Sequence, residues 1–387
     1  MVDFELSEEQ RAIRDLAREF ARKEIAPVAA QYDRSADFPW DVARKAFEVG
    51  LVNLSIPPEY GGGGLNLLEQ CLVWEELAAG CAGIAAGLSI TGLSATPLLI
   101  AGTEEQKQQW LRPLTREVGV ASYCVTEPAA GSDVAGIQTT ARQVGDDEYV
   151  ISGTKRFITA GTAARWFAVF AYTDRSRPRE GMSCFIVPRD LAGVTVARKE
   201  DMMGQRASNT AEIVFEDAVV PKANRVGAEG DGFKLAMEVF DRTRPAVGAL
   251  AVGIARSAME HAFDYAQQRQ TFGRPIIDYQ AIQFKLADMA MEIAAARHLT
   301  WHAAWLGDRG HRNAKEASYA KAFAADMCMR ATTEAVQVFG GYGYSREFPV
   351  EKLMRDAKVV QIYEGTSEIQ RLIIARELMR GRTPTRL

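Results

Sequence analysis

The chain has 387 residues, with 46 basic side chains against 50 acidic ones and a formal net charge of -4. At roughly 100–200 residues per domain, this length predicts about two or three domains, and an apolar fraction of 47% supplies a large core. These values exclude a disordered, collagenous or disulfide-framed chain, and the mild acidity argues against a nucleic-acid binder with its usual basic face.

Residues 1–118 predict an N-terminal helical domain. The acidic start, Met1-Val-Asp-Phe-Glu5, has neither the apolar run of a signal peptide nor the arginines of a transit segment. A prokaryotic cytoplasm is expected, or a mitochondrial matrix if a transit peptide has been removed. Ser7 and Gln10 have the spacing of a capping box, and Glu8 and Glu9 suit a first helical turn. Pro57-Pro58 and glycines 61–64 mark a turn, and with no Gly-Lys-Ser/Thr following, a P-loop is not expected. The longest uncharged run, 77–103, is long enough to cross a membrane, but Ala, Gly, Ser and Thr dominate it and Pro97 interrupts it. It predicts a buried, tightly packed helix pair, with no membrane span.

Residues 119–228 change to short β-prone runs at 149–151, 166–170, 184–187, 194–196 and 213–215. Gly, Asp or Pro clusters separate them, which predicts a central, small antiparallel β domain. Residues 229–387 return to helix. Ile282, Leu286, Met289, Ile293 and Ala296 recur at steps of four and three, the stripe of a core-facing helix. Residues 315–338 behave similarly. A last helix starts at Ser367, whose spacing to Gln370 fits a capping box. The expected fold class is mainly α with a central β domain, ending in a helical bundle.

Five cysteines without a C-x-x-C predict buried, reduced thiols. Of the four histidines only His298 and His302 share a helical face, and Leu299 stands where a zinc protease carries Glu. A surface or packing pair is expected there, with no metal site.

Six segments carry candidate chemistry. In Tyr123-Cys-Val-Thr-Glu-Pro-Ala-Ala-Gly-Ser-Asp133, a β-prone run gives way to small residues that admit a ligand to the backbone, with hydroxyls at Thr126 and Ser132. A plain strand-to-loop connection fits these residues equally. Phe157 and Thr159 alternate on one face of a strand, one able to pack on a flat ring and the other to hydrogen-bond it, though such residues suit any strand. Asp241 and Arg244 stand at i, i+3 before Pro245, as a helix-surface salt bridge or a clamp on a polar ligand. Arg269 is a phosphate contact or a solvated helix end. Gln337-Val-Phe-Gly-Gly-Tyr-Gly343 stops a helix at a glycine pair that also permits close approach of a ligand. Glu364, beside Gly365 in a short loop ahead of a helix, is a solvated carboxylate or a base held for proton abstraction.

In this order and spacing the six segments resemble the acyl-CoA dehydrogenase family over about residues 5–380, most closely its medium-chain members at 123–136, 240–245, 268–273 and 351–376. The resemblance implies an N-terminal helical domain, a middle antiparallel β domain and a C-terminal four-helix bundle, with FAD between the last two. No G-x-G-x-x-G opens a βαβ unit, in keeping with a flavin held outside a Rossmann fold. Cofactor contacts are implied for Tyr123, Val125, Thr126, Gly131, Ser132, Phe157, Ile158 and Thr159. Thr126 and Thr159 would bond the isoalloxazine edge, and Phe157, where the family often has Trp, would cover one ring face. Arg269, Thr271, Phe272, Gln280, Gln337, Val338, Gly340 and Gly341 would reach the FAD of a neighbouring subunit, in a homotetramer built as a dimer of dimers. Thr366 and Glu368 would touch the nucleotide. Ser132, Asp241, Arg244 and Gly365 would bind the CoA thioester.

The implied activity is α,β-dehydrogenation of a saturated acyl-CoA in fatty acid β-oxidation. Glu364 would take the α-proton while hydride passes to flavin N5, and electrons would pass to electron-transfer flavoprotein. Some members carry the base at the position of Thr243, whose identity here favours the straight-chain type. The stretch 84–97 lacks the basic residue of decarboxylating glutaryl members. Ala85, Ala86 and Ser89 stand at the implied pocket floor, leaving room for medium or longer chains unless a neighbouring side chain fills it. An oxygen-using oxidase and a non-catalytic acyl-CoA-binding scaffold are the alternatives on the same fold.

Overall fold

The structure is a computed structural model and describes residues 5–380. The acidic start at 1–4 and the end of the third block, 381–387, lie outside the described residues. Helices α1 (Glu8–Phe20), α2 (Ala29–Ser35), α3 (Trp40–Glu48), α4 (Leu67–Ala101), α5 (Glu104–Trp110) and α6 (Arg112–Arg116) come first. Strands β1 (Val120–Cys124), β2 (Thr140–Val144), β3 (Glu148–Ile158), β4 (Ala164–Tyr172), β5 (Met182–Pro188), β6 (Val194–Lys199), β7 (Ala211–Pro221) and β8 (Arg225–Val226) follow. Helix α7 (Gly232–Gln268) leads through a short ribbon, β9 (Gln270–Thr271) and β10 (Arg274–Pro275), to α8 (Gln280–Asp308), α9 (Ala314–Phe339), α10 (Pro349–Val360) and α11 (Ser367–Arg380).

The capping box of α1 forms, with Gln10 N–H donating to Ser7 Oγ and Ser7 N–H to Gln10 Oε1, both at 3.1 Å. Helix α4 is long and apolar enough to cross a bilayer, yet most of it is buried inside the protein. A single extended residue, Cys81 (φ -168°, ψ 116°), kinks α4 into two helices, and the second of them carries most of the uncharged run. The close partner of α4 is α7: a Cβ added at Gly253 would lie 2.2 Å from the Glu75 carbonyl oxygen. Charge also fixes this crossing. Buried Glu75 accepts hydrogen bonds of 2.8–3.2 Å from Arg297 of α8. Buried Glu76 accepts from Arg256 of α7 at 2.6 Å and from Arg18 of α1 at 2.8 Å.

The sheet runs β6-β7-β3-β2-β4-β5-β8, with β1 also on β4. It is mixed, not purely antiparallel. β1 pairs parallel with β4, and Thr140 of β2 makes a single parallel bridge to Tyr172 of β4. β1 meets β4 only after the β2–β3 hairpin, a connection long enough to permit parallel pairing. Side chains of β4 alternate. Trp166, Ala168 and Phe170 pack with Leu98 of α4 and Leu235 of α7, while Phe167, Val169 and Ala171 pack with Phe185 and Phe215 on the other face. This alternation brings the end of β1 against the helices. In the bundle, Leu286, Met289, Ile293 and Ala296 of α8 are buried with α7 and α9, as their spacing predicts. All five cysteines are free and buried. His298 and His302 are exposed beside Trp301 and Trp305.

Candidate active site

Between α10 and α11 the chain turns through Glu364 and Gly365, both left-handed, at φ 50° and 89°. Glycine suits the second position because a φ of 89° strains any L side chain, and a Cβ there would also lie 2.7 Å from Gln370 Nε2. A left-handed glutamate costs about 1–3 kcal/mol, so its neighbours must hold it. Gln370 Nε2 donates to the carbonyls of Glu364 (3.1 Å) and Gly365 (2.9 Å). Lys321 Nζ, from the buried face of α9, donates to the Gly365 carbonyl at 2.6 Å. Thr243 Oγ1 of α7 donates to Glu364 Oε2 at 2.7 Å. The expected capping box on Ser367 does not form, since Gln370 is drawn back to these carbonyls. Thr366 Oγ1 caps α11 instead, accepting from Ile369 N–H at 3.2 Å, and Ser367 Oγ donates to Asp326.

Burial raises the pKa of Glu364 above its ordinary value, while the Thr243 hydrogen bond and the nearby Arg244 and Lys321 cations oppose the shift. Burial pushes Lys321 down to about 8, against the pull of Glu364.

Glu364 and Tyr363 border a cavity of about 1160 Å³. Ala86, Ser89, Leu93 and Thr96 of α4 line it, with Thr243, Val247 and Leu250 of α7 and Thr159 from the sheet. Ala85, expected at the floor, is fully buried behind the wall. Asp241 also borders this cavity. Arg244 is no solvated surface residue: it is buried, its Nη1 donates to Asp241 at 2.7 Å, and its Nε has no partner among the described residues. The two share a smaller adjoining cavity of about 460 Å³ with Arg312, Arg376, Arg380 and Glu377, the last paired with Arg312 and Arg380, so that guanidiniums outnumber carboxylates in the lining.

On the sheet side, Tyr123 and Val125 are buried at the end of β1 and in the residue after it. The Tyr123 ring packs on Phe170 and Phe240. A buried ion pair fixes the loop that carries Thr126: Lys155 Nζ donates to Glu127 Oε1 at 2.7 Å and to the Val125 carbonyl at 3.1 Å. Phe157 and Thr159 do not alternate on one strand face. Phe157 is left-handed (φ 58°), the register shifts between Lys155 and Ile158, and β3 ends before Thr159. Phe157 is consequently half exposed, and the Thr159 carbonyl is fixed by Ser122 Oγ at 2.7 Å. The Ile158 side chain is buried in the sheet core, which leaves only its backbone for a ligand. Gly131 and Ser132 are exposed on the loop after β1, and neither borders a described cavity. Glu368 is exposed in the first turn of α11.

A separate cavity of about 680 Å³ gathers Arg269, Thr271, Phe272, Val338, Gly340 and Gly341. It shares no lining residue with the Glu364 cavity. Phe272 is 97% exposed. Gln280, at the start of α8, and Gln337, near the end of α9, are exposed and line neither.

Motif spacing missed Lys321 and Gln370, and it noted Thr243 only for not being a carboxylate. The available signal was Lys321 itself, a cation on the same helix face as Ala317 and Ala324.

Family models of the acyl-CoA dehydrogenase N-terminal, middle and C-terminal domains match residues 7–117, 122–218 and 230–379. An acyl-CoA dehydrogenase of Bacillus subtilis (strain 168) is 45% identical over 377 residues, 97% of this chain and 99% of that protein. Butyryl-CoA dehydrogenase from Megasphaera elsdenii superposes with a TM-score of 0.95 at 42% identity, covering 98% of this chain and all (100%) of that one. A chain from structural work on the electron transferring flavoprotein of Acidaminococcus fermentans matches at TM-score 0.95 and 44% identity, over 98% of this chain and 100% of that one.

Proposed function

The chain belongs to the acyl-CoA dehydrogenase family, and from that premise we propose that it converts a saturated acyl-CoA to the trans-2-enoyl-CoA with Glu364 as base and FAD as cofactor. The observation that carries this reading is Glu364: a carboxyl with its pKa raised by burial, held on a left-handed turn beside a largely apolar cavity.

The residues present fit a flavin. Phe157 offers a half-exposed aromatic face, and the hydroxyls of Thr126 and Thr159 make no hydrogen bond to a described residue. These are the groups that a flat ring with polar edges requires. When bound, FAD supplies the acceptor for the β-hydrogen as hydride. Glu364 takes the α-proton, and a pKa raised by burial makes it a stronger base for that task. The walls from α4 and α7 exclude water around the acyl chain. Asp241 and Arg244, with Ser132 and Gly365, hold the thioester and its polar arm. Thr366 and Glu368 meet the flavin nucleotide. Arg269, Thr271 and Phe272 serve the flavin of a second copy in a homotetramer. Similarity to a chain from electron transferring flavoprotein work supports such a flavoprotein as electron acceptor.

Anaerobic addition of octanoyl-CoA to the purified yellow protein tests the reading. Rapid bleaching is expected, and Glu364→Gln should keep its flavin and lose about 10²–10⁴-fold in turnover. Full turnover in that variant sinks the assignment. Peroxide formed in air at the dehydrogenation rate replaces the flavoprotein acceptor with oxygen.

A further inference from the structure

We propose that Lys321 is a positioning residue for the base: its buried ammonium locks the turn of Glu364 and Gly365 through the Gly365 carbonyl and favours the ionised form of Glu364. The inference rests on the reading of Glu364 as base.

Burying an ammonium is costly unless its charge and protons are matched. Lys321 is fully buried, and its one hydrogen bond among the described residues, at 2.6 Å, goes to the Gly365 carbonyl. No carboxylate oxygen of the described residues lies within ion-pair distance. Glu364 in the turn, Asp326 on α9 and Glu368 on α11 face it at longer range, and Arg244 on α7 opposes them. Glu364 in turn faces Thr243 and Arg244 of α7, Lys321 of α9, and the phenols of Tyr123 and Tyr363. Three side chains from three helices therefore tether the turn. Thr243 holds the carboxyl, Gln370 holds both carbonyls, and Lys321 holds the second carbonyl as the only cation of the three. A methionine would fill the same space without the cost of charge burial. The ammonium instead stands where it reaches the strained turn and the field of the base.

The test compares kcat/KM against pH for the FAD-loaded enzyme and its Lys321→Met, Lys321→Gln and Lys321→Arg variants, with octanoyl-CoA as substrate. Loss of the cation should move the acid limb up by about one pH unit in the Met and Gln variants, and Arg should keep it in place. Loosening of the turn should lower kcat about tenfold or more in Lys321→Met, with KM changed far less. Lys321→Gln, still a donor, should lose less kcat, and it carries the test if the Met variant does not fold. Infrared titration of the Glu364 carboxyl, taken as the difference from Glu364→Gln, should show the same shift without turnover. An unmoved limb and unchanged kcat in Lys321→Gln overturn the proposal. Retained turnover in Glu364→Gln overturns the base assignment instead, so the two failures are distinct.

Discussion

Thr243 and Glu364 lie 121 positions apart in the chain and 2.7 Å apart in space, hydroxyl to carboxylate. The hydroxyl can donate only while it finds an acceptor lone pair, and an ionised carboxylate accepts best. Thr243→Val removes the donor and keeps the shape. The Glu364 pKa should rise, moving the acid limb of kcat/KM to higher pH and lowering activity below it. Unfolding free energy should change by only about 1 kcal/mol. An unshifted limb in this variant contradicts the assigned role.

Glu364 also links stability to pH. Its folded pKa lies above the ordinary value because burial disfavours the charge. The folded state thus binds the proton more tightly than the unfolded one. The stability it contributes is complete below the unfolded pKa and is lost as pH rises through the folded pKa. Glu364→Gln should therefore melt above the wild type at pH 8, with the gap closing towards pH 4. Melting curves across that range check the sign, and a gap that widens on acidification refutes it.

The pair of Lys155 and Glu127 predicts a large penalty. Glu127→Leu leaves a fully buried ammonium without its carboxylate. Destabilisation of about 3–5 kcal/mol is expected, with partial recovery on adding Lys155→Met. Chemical denaturation of the single and double variants measures both. Flavin content should fall with the single change, because the same lysine ties down the Val125 carbonyl beside Thr126.

Gly365→Ala places a methyl group 2.7 Å from Gln370 Nε2 at a φ of 89°. The strain, about 1–3 kcal/mol, falls on the turn that carries the base. Turnover should drop at least about tenfold while the melting temperature moves little. A variant with wild-type kcat shows that the turn tolerates displacement.

Much of this architecture was legible in the sequence because it is local. The box at Ser7 and Gln10 and the stripe from Ile282 to Ala296 depend on spacing alone, and both are present in the fold. Parallel pairing of β1 with β4 was not legible, since it depends on the path taken between them. Phe157 and Thr159 failed as a strand pair because one left-handed residue breaks the alternation that spacing assumes. The tethers of Glu364 escaped for a third reason. Thr243, Lys321 and Gln370 come from three helices, and none is unusual until the turn brings their polar ends together.

The charges buried between α4, α7 and α8 bear on how this chain can change. Glu75 and Glu76 are enclosed, and each is answered by arginines on other helices. Substituting Arg297 removes the guanidinium that hydrogen-bonds Glu75, and substituting Glu76 takes the carboxylate from both Arg256 and Arg18. Either single step is worse than the starting point or than a fully apolar layer. A drifting sequence therefore meets a valley here that only concerted replacement crosses, and the angle at which α7 lies on α4 is inherited as a set of residues.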